Sequence, residues 1–247
     1  MTEPKKPRLQ HAEVVDRDLD AVEGVRLWFV GYGKFLPPRD DHAEKSMQHQ
    51  RGAIADFHTL GPGDPGRPKL MRFVSLHDLV DQAIAALRGG ERIAELVVDD
   101  HGGPMMHLFA NDWIYVTATG RSWARSWAGP AWRDHEQPAD SNLALHASKL
   151  RRLASHLHPK GSVTLLGCNV TAAAAAANGA GIGRTYDLLM ALSAELGAVE
   201  VRGSPHASVV GAYKAAPDQL GCRVRNRREQ ACRPVLPSSF HDILPWR

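Results

Sequence analysis

Short apolar runs separated by amphipathic helical stretches constrain this chain more than any other feature. Val25–Val30, Ile93–Val98 and Ser162–Leu166 are nearly continuous apolar segments, with a shorter one at Leu70–Val74 and another at Val199–Arg202. None shows the strict in-out alternation of a half-exposed strand. Runs of this length and type are strands covered on both faces, the pattern of a parallel sheet. Parallel neighbours need long crossovers, which in such folds are usually helices. The helical periodicities lie where those crossovers fall. Strand, helix, strand, helix, strand therefore predicts an α/β fold built on a mostly parallel sheet, with helices on both faces in three layers.

The helices carry local punctuation. Ser75 and Asp78 have N-cap and N3 spacing, a variant of the capping box. Leu76, Leu79, Val80, Ala83, Ile84 and Leu87 then keep one apolar face up to Gly89-Gly90. A second helix is expected after Asp140-Ser141, with Leu143, Leu150, Leu153 and Leu157 on one stripe and Pro159 beyond its end. A third carries Leu188, Leu189, Leu192 and Leu196 and stops at Gly197. Met105–Phe109 and Trp113–Val116 read as a hairpin turning at Asn111-Asp112. Residues 37–68, rich in Pro, Asp, His and Gly, read as a long loop with one short helix. Residues 119–140, with Trp123, Trp127 and Trp132 among Arg, Ser, Gly and Pro, read as an irregular loop. The expected division is a loose arm over 1–24, one α/β domain over 25–215 and a basic tail over 216–247.

Composition narrows the class. The 247 residues are 43% hydrophobic, and three cysteines are too few, and odd in number, for a disulfide scaffold. Lys and Arg number 30 against 27 Asp and Glu, a net charge of +3, which gives no reason to expect a nucleic-acid partner. The Arg-rich tail reads as solvated. No apolar run approaches the roughly 18 residues that span a bilayer, so no membrane partner is expected. The first residues carry charge without an apolar stretch behind them, so a cytoplasmic location is expected, with signal-less secretion left open.

Active sites of parallel α/β folds gather at the carboxyl ends of strands. His101 stands at such an end, in Asp99-Asp100-His101-Gly102-Gly103, and Cys168 at another, in Gly167-Cys168-Asn169. A thiol needs to be a thiolate to act as a nucleophile, and a nearby imidazole both lowers its pKa and carries its proton. Singly, each residue has a plainer reading: a small buried thiol and a turn histidine. If the two strands are neighbours, their following side chains can meet. Asp99, Asp100, His101 and His107 also offer a metal-ligand set for a metal-dependent hydrolase, although alternation along a strand turns at most two of the first three towards one ion. Gly179, Gly181 and Gly183 imitate a phosphate loop but have no Lys-Ser/Thr after them. Cys222 and Cys232, ten residues apart, could pair in an oxidising compartment.

Strand-Asp100-His101-Gly102, a helical crossover and Leu165-Leu166-Gly167-Cys168-Asn169 together resemble the caspase-like clan of cysteine peptidases (caspases, metacaspases, legumain, gingipains), in its bacterial form. The resemblance covers roughly residues 25–215. It implies a caspase-haemoglobinase-like fold and a cysteine endopeptidase, possibly self-processing, acting on a protein or peptide substrate without a cofactor. Cys168 would be the nucleophile, His101 would protonate the leaving amine, and the backbone N–H groups of Gly102 and Cys168 would form the oxyanion hole. Asp99, Ser204 and His206 are the positions it marks for substrate binding. Asp100 stands where many members carry a small residue or serine, the alanine run 172–177 is unusually long, and the Trp-rich 119–140 is an insertion. The alternative is a scaffold of the same fold without catalysis, used as an interaction module.

Overall fold

In a computed structural model, residues 22–33, 43–48, 51, 67–129, 132, 140–167, 170 and 187–203 are described in full, and 222–225 and 229–232 by their backbone. The apolar runs become β1 (Val25–Gly31), β2 (Lys69–Phe73), β3 (Ile93–Asp99) and β7 (Leu157–Leu166), with β8 at Glu200–Gly203. They lie in the order β2-β1-β3-β7-β8, all parallel. β9 (Cys222–Arg225) and β10 (Glu229–Cys232) extend the β8 side as antiparallel strands. The fold is thus α/β with a mostly parallel sheet. The sheet continues past residue 215, into the stretch read as tail.

Helices α1 (Leu76–Ala85), α3 (Leu143–Ala154) and α4 (Asp187–Glu195) cover one face, with α3 packed between the other two. Their apolar stripes meet Leu27 and Phe29 of β1, Leu96 and Val98 of β3, Val163 and Leu165 of β7 and Val201 of β8 in one core cluster. α1 starts as its capping residues predict. Ser75 accepts from the Asp78 amide at 3.1 Å, and the Asp78 carboxylate accepts from the Val74 amide at 2.9 Å. The α3 start differs from expectation. Asn142 is its N-cap, and the Asn142 side chain is engaged elsewhere, accepting from the Tyr115 amide at 2.9 Å. Leu157 opens β7 instead of closing the helical stripe, and Pro159 lies within that strand.

The residues pointing to the opposite face of the sheet are unusually polar for central strands. Arg26, Glu95, Ser162 and Thr164 are all buried, and Trp28 donates to Glu95 at 3.0 Å. At β1 that face carries Val30, packed with Ala43 and Met47 of the helical stretch 43–48.

A small second sheet stands above the carboxyl end of β3. It runs β4-β5-β6, formed by Gly102–Gly103, Met106–Phe109 and Asp112–Tyr115. The hairpin expected around Asn111 is β5–β6, and Ala110 in its turn has φ 57°. The first part of the stretch 119–140, read as irregular, belongs to helix α2 (Thr117–Ala128). Its buried side consists of Gly120, Ala124 and Ala128. That buried side holds none of the Leu and Val residues that mark the buried faces of α1 and α3.

Candidate active site

The strand order brings the two candidate residues' strands together. β3 and β7 are adjacent and parallel, with Asp99 opposite Leu166 at their carboxyl ends. His101 follows β3 by two residues and position 168 follows β7 by two. Cys168 itself lies outside the described residues, as do Ser204 and His206, which follow β8. Three neighbouring strands, β3, β7 and β8, therefore end just before His101, Cys168 and Ser204 in turn.

Gly167 shows how closely the two turns approach. A side chain there would place its Cβ 3.0 Å from Gly102 Cα, 2.7 Å from His107 Cδ2 and 2.9 Å from His107 Nε2. Real Cβ atoms essentially never come within 3.0 Å of a heavy atom. The residue before Cys168 thus sits against the residue after His101, and only glycine fits.

Asp100 builds the histidine turn. Its carboxylate is buried and accepts from the His101 amide at 2.7 Å and the Ala110 amide at 2.7 Å. Charge-assisted hydrogen bonds of this kind are the stronger class. One carboxylate therefore ties the end of β3 to the turn of the small sheet. A Cβ on Gly31 would lie 1.9 Å from Asp100 Oδ2, and one on Gly33 would lie 2.5 Å from the Ala110 carbonyl oxygen. In a sheet with this strand order, the crevice between β1 and β3 is where ligands commonly bind. Here the Asp100 carboxylate and the Ala110 turn occupy the space beside Gly31 and Gly33.

His101 is half-buried with its Nε2 enclosed, and its ring lies against the indole of Trp127, with centroids 4.8 Å apart and planes 37° apart. Trp123, one turn earlier on α2, reaches Gly103, where an added Cβ would be 3.6 Å from its Cε3. The sequence places these tryptophans in a stretch that reads as an irregular loop. Spacing of four residues on a helix was the signal available, and the small-residue stripe obscured it.

His107 pairs with Gly102 across β4 and β5 and is fully buried, its ring 5.0 Å from that of Phe109. The Leu108 backbone lies beside the ring, and among the described residues neither ring nitrogen makes a well-formed hydrogen bond. Burial pushes its pKa down to about 3, so the ring is neutral. Asp99, the last residue of β3, is buried between Val30 and Leu166. Among the described residues there is no group of three His, Cys, Asp or Glu side chains able to hold a metal ion, and the Asp100 carboxylate faces two backbone amides. The metal-ligand set of Asp99, Asp100, His101 and His107 is not assembled.

No family model matches the chain, and neither a curated protein nor a solved structure does. Among the described residues no helix is long and apolar enough to cross a membrane.

Proposed function

We propose that the chain is a caspase-like cysteine endopeptidase, with a three-layer caspase-haemoglobinase-like fold, that cuts peptide bonds through a Cys168–His101 dyad. The observation that carries this reading is the seat of Gly167 against Gly102 at the ends of two adjacent parallel strands. That contact sets the backbone just before residue 168 against the backbone just after residue 101.

In the proposed reaction the Cys168 thiolate attacks the scissile carbonyl carbon and the carbonyl π electrons move onto oxygen. The backbone N–H groups of Gly102 and Cys168 receive that oxyanion, commonly the largest electrostatic contribution in acyl transfer. Collapse of the tetrahedral species breaks the C–N bond as His101 gives the amine its proton, leaving a thioester on Cys168. Water, deprotonated by His101, then releases the acid and restores the thiolate. Trp127 fixes the plane of the imidazole, and Asp100 fixes the turn that carries it. Asp99, Ser204 and His206 are assigned to substrate binding. An acidic residue in that set favours Arg or Lys on the acyl side of the cut.

The test is cleavage of an unfolded protein substrate, and of the chain itself, by wild type, Cys168→Ala and His101→Ala. Both variants should lose cleavage while keeping the wild-type circular dichroism. Iodoacetamide should alkylate Cys168 well below the ordinary thiol pKa of about 8.5. Unchanged cleavage by Cys168→Ala overturns the proposal. A non-catalytic scaffold of the same fold would also expose Trp123 and Trp127, but would leave Cys168 with ordinary thiol reactivity and cut nothing.

A further inference from the structure

Five of the six tryptophans lie among the described residues, and they divide sharply. Trp28 and Trp113 are buried, and Trp132 packs against Tyr115 with ring centroids 6.0 Å apart. Trp123 and Trp127 are 42% and 41% exposed. Both stand on α2, a helix that buries only its small residues Gly120, Ala124 and Ala128. A side chain at Gly120 would meet the Met105 carbonyl oxygen at 2.4 Å, so α2 is pressed closely onto the small sheet. The exposed indoles are therefore held by a fixed helix and sit directly beside His101 and Gly103.

We propose that Trp127 and Trp123 form a wall of the substrate cleft that takes a bulky apolar side chain of the peptide, on the side of the cut lying over α2. The proposal rests on the peptidase reading and adds a specificity determinant to it. A peptide whose scissile carbonyl reaches Gly102 and His101 must pass within a few ångströms of both indoles, because Trp127 contacts His101 and Trp123 reaches Gly103. Flat aromatic faces hold apolar and aromatic side chains through buried area and ring–ring contact, while gaining little from small or strongly hydrated ones. Large exposed tryptophans are also the residues that most often dominate protein–peptide contacts. Continuity with the candidate catalytic turn distinguishes this pair from scattered surface apolar residues such as Val74 and Leu145, which are exposed without such neighbours.

The experiment is digestion of a proteome-derived peptide library by the full chain, with cut sites read by mass spectrometry. Wild type should show enrichment of Phe, Leu, Tyr, Trp or Met at one fixed position within three residues of the cut. Trp123→Ala, which leaves the Trp127–His101 contact in place, should reduce that enrichment at least five-fold, while the preference at other positions persists. Trp127→Phe, which keeps a flat ring, should retain most of it. Since both side chains are surface groups, circular dichroism should match wild type in every variant. Apolar enrichment that is absent in wild type, or unchanged in Trp123→Ala, overturns the inference while leaving the peptidase reading intact. A wild type that cuts no peptide, or a Cys168→Ala variant that cuts as wild type does, overturns both.

Discussion

The Asp100 carboxylate occupies the space that a side chain on Gly31 would need, with Oδ2 1.9 Å from where that Cβ would sit. Two strands are thereby matched at their carboxyl ends. β1 gives up a side chain so that β3 can turn a buried charge back onto its own following amide and onto the turn of the small sheet.

Replacing Asp100 by Asn keeps the shape but leaves one oxygen to accept where the carboxylate offered two. The second amide would then face an NH2 group. Hydrogen bonds to charged groups contribute about 1.5–3 kcal/mol, and a buried donor left unmatched costs a similar amount. Asp100→Asn should lose about 2–4 kcal/mol in urea unfolding and lower cleavage at least ten-fold in the protein that remains folded. Gly31→Ala should act through the same contact, costing about 1–3 kcal/mol by overpacking.

Gly167→Ala tests the closeness of the two turns. Its Cβ would fall within 3.0 Å of the His107 ring, and at 3.0 Å from Gly102 Cα, so one turn must move. A displacement near 1 Å at reacting groups can cost on the order of 100-fold in rate. The expected result is a 10- to 100-fold fall in kcat/KM with a stability loss of about 1–3 kcal/mol. Full activity in this variant would show that the turns do not need that contact.

His107 sets a pH dependence of stability. Its folded pKa is about 3, below the ordinary histidine value of 6.5, because burial opposes the charged ring. Between those two values the unfolded chain binds a proton that the folded one does not. Stability should therefore be fully present above about pH 6.5 and fall as pH drops towards 3, by up to about 1.4 kcal/mol per unit. His146, also lowered by burial, adds a slope of the same sign. His107→Leu replaces a buried polar ring by an apolar side chain. It should be at least as stable as wild type at pH 5 and show a shallower loss between pH 6 and 4 in thermal melts.

Ser75→Ala removes the oxygen that accepts from the Asp78 amide at the start of α1. N-cap losses cost about 1 kcal/mol, and the midpoint of thermal unfolding should fall by a few degrees. Cleavage measured well below that midpoint should be unaffected, since this helix end belongs to the core packing.

The central strands were legible because burial on both faces writes itself as uninterrupted apolar sequence, as in Leu27-Trp28-Phe29-Val30. α1 was legible through Ser75 and Asp78, whose side chains do what their spacing predicts. α2 was not, because Gly120, Ala124 and Ala128 bury by being small and leave their two large neighbours outside. β9 and β10 were not, because Arg223, Arg225 and Glu229 carry the charge of an ordinary solvated tail while their backbone joins the sheet edge. At the site, the position of His101 could be anticipated from its strand end. The use of Asp100 as a clamp could not, since its partners are backbone amides that have no signature in sequence.

The pairing of β3 with β7 has a consequence for timing during synthesis. Positions 101 and 168 are 67 residues apart in the chain, and the strand ends before them come side by side only when β3 and β7 pair. A nascent chain that has formed β1, β2, α1 and β3 holds the histidine turn with nothing opposite it. The proposed chemistry is therefore absent from any partial product that stops short of β7, and it waits on closure of the middle of the sheet.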